Sequence, residues 1–200
     1  MMEPVFSRYL TEQEEKQLLS HVGSLADLLA RRDYYWMKLL RQTGIRVGAL
    51  AGLTVDDARE ALRTNHLPLN PEHAKRGKGG QVFCNAVAAN ALRDLLAVRR
   101  EQGHAEEGSA PLIMSRNHRG ISVRSIQARM QHWVKAAGLD VQASPHWFRH
   151  TLAKRIMKRS TAKNPLPIVQ GVLGHASPST TLIYAGPDRE EMEQAMREAS

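Results

Sequence analysis

Two histidines and an arginine stand close together in SPHWFRHTLAKRIMKRS, residues 144–160. His146 and Arg149 are three positions apart, so a helix would bring both side chains to one face. Arginine stays charged and binds phosphate through two nitrogens, whereas histidine takes up or releases a proton near neutral pH. The pair could therefore serve a site that handles phosphate. The alternative is an ordinary surface pair beside Trp147 and Phe148, with these two rings turned into the core.

Two further segments carry polar side chains that could take part in binding or catalysis. The stretch QTGIRVGALAGL embeds Arg46 among small and apolar residues, which indicates that this arginine has a particular partner. The stretch GVLGHASPSTTLIYAG places His175 after a glycine and Tyr184 nine residues later. Taken singly, a tyrosine in such a position is usually a packing residue. Only the combination of these segments could define a site.

Positive charge is concentrated in the middle of the chain. The sequence has 28 Lys+Arg against 20 Asp+Glu, and residues 63–163 hold 18 of the basic but only 6 of the acidic side chains. Residues 164–200 hold 2 basic and 5 acidic side chains. Such a field favours a polyanion, most simply nucleic acid, because bound phosphates release their counterions. A solvated basic face is the alternative explanation.

Length and composition indicate a globular protein with a real core. The chain has 200 residues, of which 42% are hydrophobic. No stretch approaches the roughly 18 apolar residues of a membrane span, and the N-terminus lacks the regions of a signal peptide, so we expect a soluble intracellular protein. The single cysteine, Cys84, excludes an intramolecular disulfide and a cysteine-based zinc site. We expect it to be a small buried residue.

Helical patterns dominate. Thr11 with Glu14 predicts a capping box for a helix that runs to about Val22. Ser24 is predicted to open a longer helix that Gly44 ends, and IRVGALAGL adds another turn or two. Further helices are predicted in NAVAANALRDLLAVRRE, SVRSIQARMQHWVKAAG, PHWFRHTLAKRIMKR and the stretch around IVQGVL, and two short helices finish the chain.

Residues 62–85 have a different character. Short apolar runs flank KRGKGG, which predicts a small sheet containing a hairpin of about residues 72–84. The predicted fold class is therefore mainly α with a small antiparallel β-sheet (α+β). No internal repeat or interdomain linker is evident, so we expect a single domain over 1–200. Residues 1–10 would be an N-terminal extension and residues 187–199 a C-terminal helix.

In this order, the segments resemble the catalytic domain of the tyrosine recombinases, the phage integrase family. The resemblance rests on TGIRVGALAGL, a Lys-Gly hairpin, HWFRHTLA, LGH and a tyrosine nine residues after that histidine, and it extends from YLTEQEEKQLL to LIYAG. It implies the fold of that domain. It also implies an enzyme that cleaves and rejoins DNA at specific sites through a 3′-phosphotyrosyl intermediate, in integration, excision, inversion or resolution.

The resemblance implies a role for each matching residue. Arg46 and Arg149 would clamp the oxygens of the scissile phosphate and stabilise the charge that develops there. His146 would assist proton movement at the nucleophile, and His175 would hydrogen-bond a phosphate oxygen. Tyr184 would be the nucleophile.

The hairpin and the basic helix complete the implied site. A hairpin lysine would be the general acid for the leaving 5′-oxygen: counting back from QVF favours Lys75, which we prefer, whereas the local GKG pattern favours Lys78. His150 also recurs in the motif and is expected to be a supporting, buried hydrogen-bonding residue. The expected DNA-binding side chains are Arg76, Lys154, Arg155, Lys158 and Arg159.

The implied partner is double-stranded DNA, and no cofactor is expected, since rejoining in this family needs neither ATP nor a metal. The resemblance further implies a homo-oligomer, a tetramer on DNA, formed through the C-terminal helix, together with accessory DNA-bending proteins and no membrane. That helix carries a narrow apolar stripe of Met192, Ala195, Met196 and Ala199. The alternative is a helix folded back on its own domain. The expected location is the bacterial cytoplasm, at the nucleoid.

Two departures from the family pattern leave alternatives open. Ala49 stands where the family commonly has a glutamate, three residues after Arg46. About ten residues precede the predicted catalytic domain, so we expect no separate N-terminal DNA-binding domain in this chain, which would be either a short single-domain recombinase or a fragment. These features favour, as an alternative, a catalytically weak or inactive DNA-binding regulator on the same fold. Relaxation of DNA in the manner of a type IB topoisomerase is a third possibility.

Overall fold

Local sequence signals fix where the helices begin and end. The computed structural model describes residues 9–70, 79–105, 107–175, 177–187 and 189–199, with only the backbone for residues 189 and 190. Within these residues the elements, in chain order, are α1 (Glu12–Gly23), α2 (Leu28–Thr43), α3 (Val47–Ala51), α4 (Val55–Thr64), β1 (His66–Leu69), β2 (Gly80–Phe83), α5 (Ala86–Glu101), α6 (Val123–Ala136), α7 (His146–Arg159), α8 (Leu166–Leu173), α9 (Ser179–Leu182) and α10 (Arg189–Glu198). The predicted fold class, mainly α with a small antiparallel sheet, is confirmed.

Capping residues account for several of these boundaries. Thr11 and Glu14 form the predicted capping box at the start of α1. Gly44 ends α2 and Gly174 ends α8, both with left-handed backbone (φ 60° and 59°), a conformation that glycine adopts at little cost. These two glycines direct the chain into the segments that carry Arg46 and His175.

Two details of the helix prediction were wrong. Helix α2 begins at Leu28 with Asp27 as its N-cap, whereas Ser24, the predicted start, is the C-cap of α1. Helix α4 was not predicted, although Thr54 and Asp57 form a second capping box at its start. Because α4 begins soon after α3 ends, the sequence pattern of the two helices resembles one continuous run.

The sheet has two antiparallel strands. His66 pairs with Phe83 and Leu69 with Gly80, so the first strand precedes the predicted hairpin boundary at residue 72. The antiparallel pairing was predicted correctly, but its first strand lies earlier than predicted. The apolar run that pairs with residues 80–83 is residues 66–69, which precede residue 72. Residues 71–78 lie outside the described part of the chain.

The main core lies between α2, α5 and the start of α7. Trp36 and Leu40 from α2, Leu92 from α5 and Phe148 from α7 are at most 1% exposed. Cys84 is 1% exposed, as expected for a small buried residue. Within the described ranges, no helix is long and apolar enough to cross a membrane.

A second, smaller cluster lies beside this core. It consists of Ala153 from α7, Val169 and Leu173 from α8, and Tyr184, all of which are buried. Burial of apolar surface in this cluster holds α8 and the segment after α9 against α7. The tyrosine of the predicted site is therefore a packed residue as well as a candidate nucleophile.

Candidate active site

Helix α7 presents the predicted residues of the HWFRH stretch at its start. Trp147 and Phe148 are 9% and 0% exposed, and they seat the helix in the main core as predicted. His146 is the first residue of the helix, and Arg149 and His150 follow one turn later. The rings of His146 and His150 lie edge to face, with centroids 4.7 Å apart.

Arg149 joins the two glycine-ended helices. One guanidinium nitrogen donates to the carbonyl oxygen of Gly44 at 2.7 Å, and another donates to the carbonyl oxygen of Leu173. These oxygens belong to the C-terminal ends of α2 and α8, where the helix dipole is negative and favours a cation. Arg149 therefore fixes the segments that lead to Arg46 and His175 relative to each other.

Gly44 is required by both conformation and space. Its φ of 60° is unfavourable for other residues, and a Cβ there would lie 2.8 Å from Cδ2 of Leu152. A side chain at this position would displace Leu152 on α7 and the carbonyl that accepts from Arg149. The glycine of the TGIR motif is thus a structural part of the site.

Arg46 is half-buried at the N-cap of α3. Its positive charge lies close enough to Arg149 and His175 to lower the pKa of both. Burial, followed by the charge of Arg46, lowers the pKa of Arg149 to about 10. Within the described residues, no hydrogen bond or ion pair occupies the Arg46 guanidinium. Two neighbouring cations without a carboxylate between them favour an anion. Ala49, where the family commonly has a glutamate, is buried.

Tyr184 is 3% exposed and follows α9. Its hydroxyl lies 2.7 Å from Nδ1 of His150, which is itself 9% exposed. Burial raises the pKa of Tyr184 to about 12, and the nearby charge of Arg149 opposes that rise. A phenol with so high a pKa needs a group that removes its proton before it can act as a nucleophile.

His175 lies next to Tyr184 with its ring nearly parallel to the phenol ring, at an interplanar angle of 11° and a centroid distance of 6.3 Å. Its Nδ1 is 3.0 Å from Oγ1 of Thr181, a contact that the sequence did not predict. Burial and then the charges of Arg149 and Arg46 lower the pKa of His175 to about 4. The imidazole is therefore neutral at neutral pH and carries one N–H with which to donate a hydrogen bond.

Lys154 holds the segment that follows the tyrosine. Its Nζ donates to the carbonyl oxygen of Gly186 at 2.7 Å, and Lys154 is one helical turn after His150. Lys154 was expected to bind DNA, whereas the structure places its amine on this internal carbonyl. The TLAK spacing from the HWFRH motif was the available signal for this contact.

The remaining basic residues of α7 turn toward α1. Arg155 donates to the carbonyl oxygen of Arg41 and lies 3.6 Å from the buried carboxylate of Glu15. Arg159 forms an exposed ion pair with Glu12 at 2.6 Å, and Lys158 is exposed. DNA binding by these three side chains stays a prediction, and for Arg155 it would compete with internal partners.

The hairpin part of the predicted site lies outside the described residues. Lys75, Lys78 and Arg76 all fall within 71–78. The choice between the two lysines as general acid therefore stays a prediction. The described residues also place no group of three or more His, Cys, Asp or Glu side chains where they could hold a metal ion.

The arrangement suits nucleophilic attack on a phosphodiester. Two guanidinium groups can bind the non-bridging oxygens, and the neutral imidazole of His175 can donate a hydrogen bond to one of them. The hydroxyl of Tyr184 lies beside a histidine nitrogen that can accept its proton. Of the six predicted catalytic residues, the five that are described come together; Lys75 is the sixth.

Comparison with known proteins gives the same assignment. The model of the phage integrase family matches residues 8–191. The tyrosine recombinase XerC of Shewanella amazonensis is 34% identical over 190 residues, which cover 92% of this chain and 60% of that protein. The XerC of Neisseria gonorrhoeae is 32% identical, with 86% and 53% covered. The chain thus spans about half to three fifths of the length of these curated relatives.

A solved structure has the same fold. The crystal structure of the XerA recombinase superposes with a TM-score of 0.75 at 25% identity, covering 96% of this chain and 65% of that one. Because the family model matches nearly the whole sequence and the motif residues converge in space, the chain belongs to the phage integrase family, whose members include the tyrosine recombinases.

Proposed function

We propose that this protein is a site-specific DNA recombinase that cleaves and rejoins double-stranded DNA through a covalent bond to Tyr184. The observation that carries the proposal is the position of the Tyr184 hydroxyl, which lies among two arginines and a neutral histidine and in contact with His150. The tyrosine recombinases that it resembles in sequence support the same activity.

In the proposed reaction, Oη of Tyr184 gives up its proton with the assistance of His146 and attacks the phosphorus, and a 3′-phosphotyrosyl bond forms as the bond to the 5′-oxygen breaks. Arg46 and Arg149 stabilise the charge on the non-bridging oxygens. His175 donates to one of these oxygens, and its neutral state suits a donor that must not carry its own charge into a cationic site. The leaving oxygen takes a proton from Lys75, the preferred general acid. The reverse reaction with a new 5′-hydroxyl rejoins the DNA.

The covalent step can be tested before the target site has been identified. Randomly nicked genomic DNA of the organism that encodes the chain supplies duplexes in which the cleaved strand segment diffuses away, so that covalent complexes accumulate. We expect the wild-type protein to capture a discrete set of sequences under denaturing conditions and Tyr184→Phe to capture none. Retention of wild-type yield by Tyr184→Phe, or no capture by the wild type, would contradict the proposal.

The identity of the general acid can be tested on the captured duplex. Lys75→Ala and Lys78→Ala should differ, with cleavage by the first variant falling more. A 5′-bridging sulfur leaves without a proton, so that substrate should restore cleavage only for the variant that lacks the acid. Restoration of Lys78→Ala alone would move the assignment to Lys78, and restoration of neither would remove the hairpin lysine from the mechanism.

We further propose that the protein assembles as a tetramer on DNA through α10, with accessory DNA-bending proteins, at the nucleoid in the bacterial cytoplasm. Met192 and Met196 of α10 are 39% and 75% exposed, as expected for a face that a second copy would cover. A groove of about 640 Å³ between α1, α2 and α7 offers a complementary surface for this acidic helix. Its charged lining residues are six basic ones, Lys16, Arg41, Lys154, Arg155, Lys158 and Arg159, and two acidic ones, Glu12 and Glu15, which leaves an excess of positive charge.

Assembly through α10 can be tested by sedimentation of the protein on the captured duplex. The double variant Met192→Ser, Met196→Ser should leave one copy bound where the wild type places two. Gln194→Ser is the matched control, since it changes a polar position of the same helix. An unchanged assembly in the double variant would contradict this part of the proposal.

A further inference from the structure

A buried threonine contacts the two candidate site residues that flank it in the sequence, His175 and Tyr184. We propose that Thr181 is a positioning residue: its hydroxyl donates to Nδ1 of His175 and so keeps the single imidazole proton on Nε2, from which it can be donated to the scissile phosphate. This inference rests on the proposed function, in which His175 donates to a phosphate oxygen. It adds the group that decides which ring nitrogen carries the proton.

Thr181 is held by its backbone and contacts each of these neighbours once. Its Oγ1 lies 3.0 Å from Nδ1 of His175. Its carbonyl oxygen accepts from the backbone N–H of Tyr184 at 3.0 Å, and its own N–H donates to the carbonyl oxygen of Pro178 at 2.8 Å. Because these backbone bonds fix the start of the side chain, the hydroxyl has a defined position beside the imidazole.

Burial determines the direction of the hydrogen bond. Thr181 is 2% exposed, and within the described part of the chain the partner of its hydroxyl is Nδ1 of His175. If Nδ1 carried the proton, it would donate to Oγ1, and the hydroxyl hydrogen would be buried without an acceptor. A buried donor without a partner is unfavourable. The hydroxyl therefore donates, and Nδ1 accepts.

The direction of this bond sets the tautomer of His175. The imidazole is neutral at neutral pH, because burial and the charges of Arg149 and Arg46 lower its pKa to about 4. A neutral imidazole has one proton, so an accepting Nδ1 leaves that proton on Nε2. Without the Thr181 hydroxyl, Nδ1 loses the donor from which it accepts. The other tautomer, whose Nε2 cannot donate to phosphate, should then gain population.

The tautomer can be read in the protein without DNA. Nitrogen NMR distinguishes the ring nitrogen of a neutral imidazole that carries a proton from the one that does not, and the spectrum of His175→Ala identifies the signals of His175 by their absence. We expect the wild type and Thr181→Ser, which both have the hydroxyl, to carry the proton on Nε2. Thr181→Val replaces the hydroxyl with a methyl group of similar size, so its spectrum should shift toward a mixture of the two tautomers.

Cleavage of the captured duplex in single turnover should follow the tautomer. At saturating protein, Thr181→Val should cleave about 10 to 10²-fold more slowly, a smaller loss than complete removal of a donor to the developing charge. The dissociation constant for the duplex should stay within about twofold of the wild-type value, since this donor acts mainly in the transition state. Thr181→Ser should recover most of the rate. Thr180→Val, the same change at the exposed neighbouring position, is the matched control and should cleave at the wild-type rate.

A double-mutant cycle tests whether Thr181 acts through His175. In a His175→Ala background the hydroxyl has no imidazole to orient. Adding Thr181→Val to that background should therefore change the cleavage rate by less than about twofold, whereas two independent effects would multiply.

Several results would overturn the proposal. They are a proton on Nδ1 of His175 in the wild type, the wild-type tautomer in Thr181→Val, equal losses of cleavage in Thr181→Ser and Thr181→Val, or a full additional loss in the His175→Ala background. If Thr181→Val does not fold, as judged by its thermal unfolding, the spectra of the wild type and Thr181→Ser decide, and a proton on Nδ1 in either contradicts the assignment. If the wild type forms no covalent adduct, the proposed function fails, while the spectra still decide which nitrogen Thr181 leaves protonated.

Discussion

Helix α7 makes two kinds of contact on two of its faces. On one face His150 and Lys154, four residues apart, hold the tyrosine segment at the Tyr184 hydroxyl and at the carbonyl of Gly186. The contact at the hydroxyl of the candidate nucleophile is buried, and the contact of Lys154 is partly buried. A change on this face is expected to alter chemistry before it alters stability.

The other face holds the beginning of the described chain. Oγ1 of Thr151 accepts from the backbone N–H of Leu10 at 3.0 Å, Arg155 meets Glu15, and Arg159 meets Glu12. These contacts become more exposed along the helix, from buried Thr151 to the solvent-exposed Arg159. His150 and Thr151, neighbours in sequence, therefore make separable contacts: His150 meets the hydroxyl of the candidate nucleophile, and Thr151 attaches the segment that leads into α1.

Among these substitutions, Arg149→Lys is expected to lower the cleavage rate most. Lysine keeps the charge but cannot donate to Gly44 and Leu173 while it also binds phosphate bidentately. Loss of such a donor typically costs about 10² to 10³-fold in rate. Single-turnover cleavage of the captured duplex measures this loss. Cleavage at the wild-type rate would show that the guanidinium geometry is not needed.

The next effect concerns how the free energy of unfolding changes at alkaline pH because of Tyr184. The pKa of Tyr184 is raised from 10 to about 12 in the folded chain, so the folded state holds its proton longer than the unfolded state does. The stabilisation is complete below pH 10 and is lost as pH rises from 10 to 12, by up to about 3 kcal/mol. Chemical denaturation at each pH should show a shallower alkaline loss for Tyr184→Phe than for the wild type. Parallel curves would indicate that the phenol is more accessible to water than its burial implies.

A smaller effect on stability alone is expected for Thr151→Val on the α1 face. Valine preserves shape but leaves the N–H of Leu10 without its partner, which costs about 1 to 3 kcal/mol in free energy of unfolding. Cleavage of the captured duplex should remain within about twofold of the wild type, since Thr151 lies on the face away from the tyrosine. A loss of cleavage that exceeds the loss of folded protein would break the distinction between the two faces.

The sequence predicted the parts of this molecule that local signals determine. Thr11 with Glu14 and the left-handed Gly44 set helix ends through contacts within a few residues. Helix α4 escaped notice although Thr54 and Asp57 carried the same signal, because only three residues separate it from α3. The first strand begins at His66 without a local capping signal of this kind, so its start could not be located in the same way.

Contacts between distant segments could not be derived in the same way. Motif order grouped Arg46, Arg149 and Tyr184, yet nothing in local spacing indicated that His150 would meet the tyrosine hydroxyl. Nor did it indicate that Arg155 would meet Glu15, 140 positions earlier, since a basic helix in isolation resembles a DNA-binding surface. Such pairings depend on how α7 rotates when Trp147 and Phe148 enter the core.

The most direct test is to identify the residue that bonds to DNA in the captured complex. Digestion with trypsin and nuclease, followed by mass spectrometry, should give a nucleotide joined through a 3′-phosphate to Tyr184, in the peptide that spans residues 164–189. A nucleotide on Tyr9, Tyr34 or Tyr35, the other three tyrosines of the chain, or on any residue other than a tyrosine, would contradict the account.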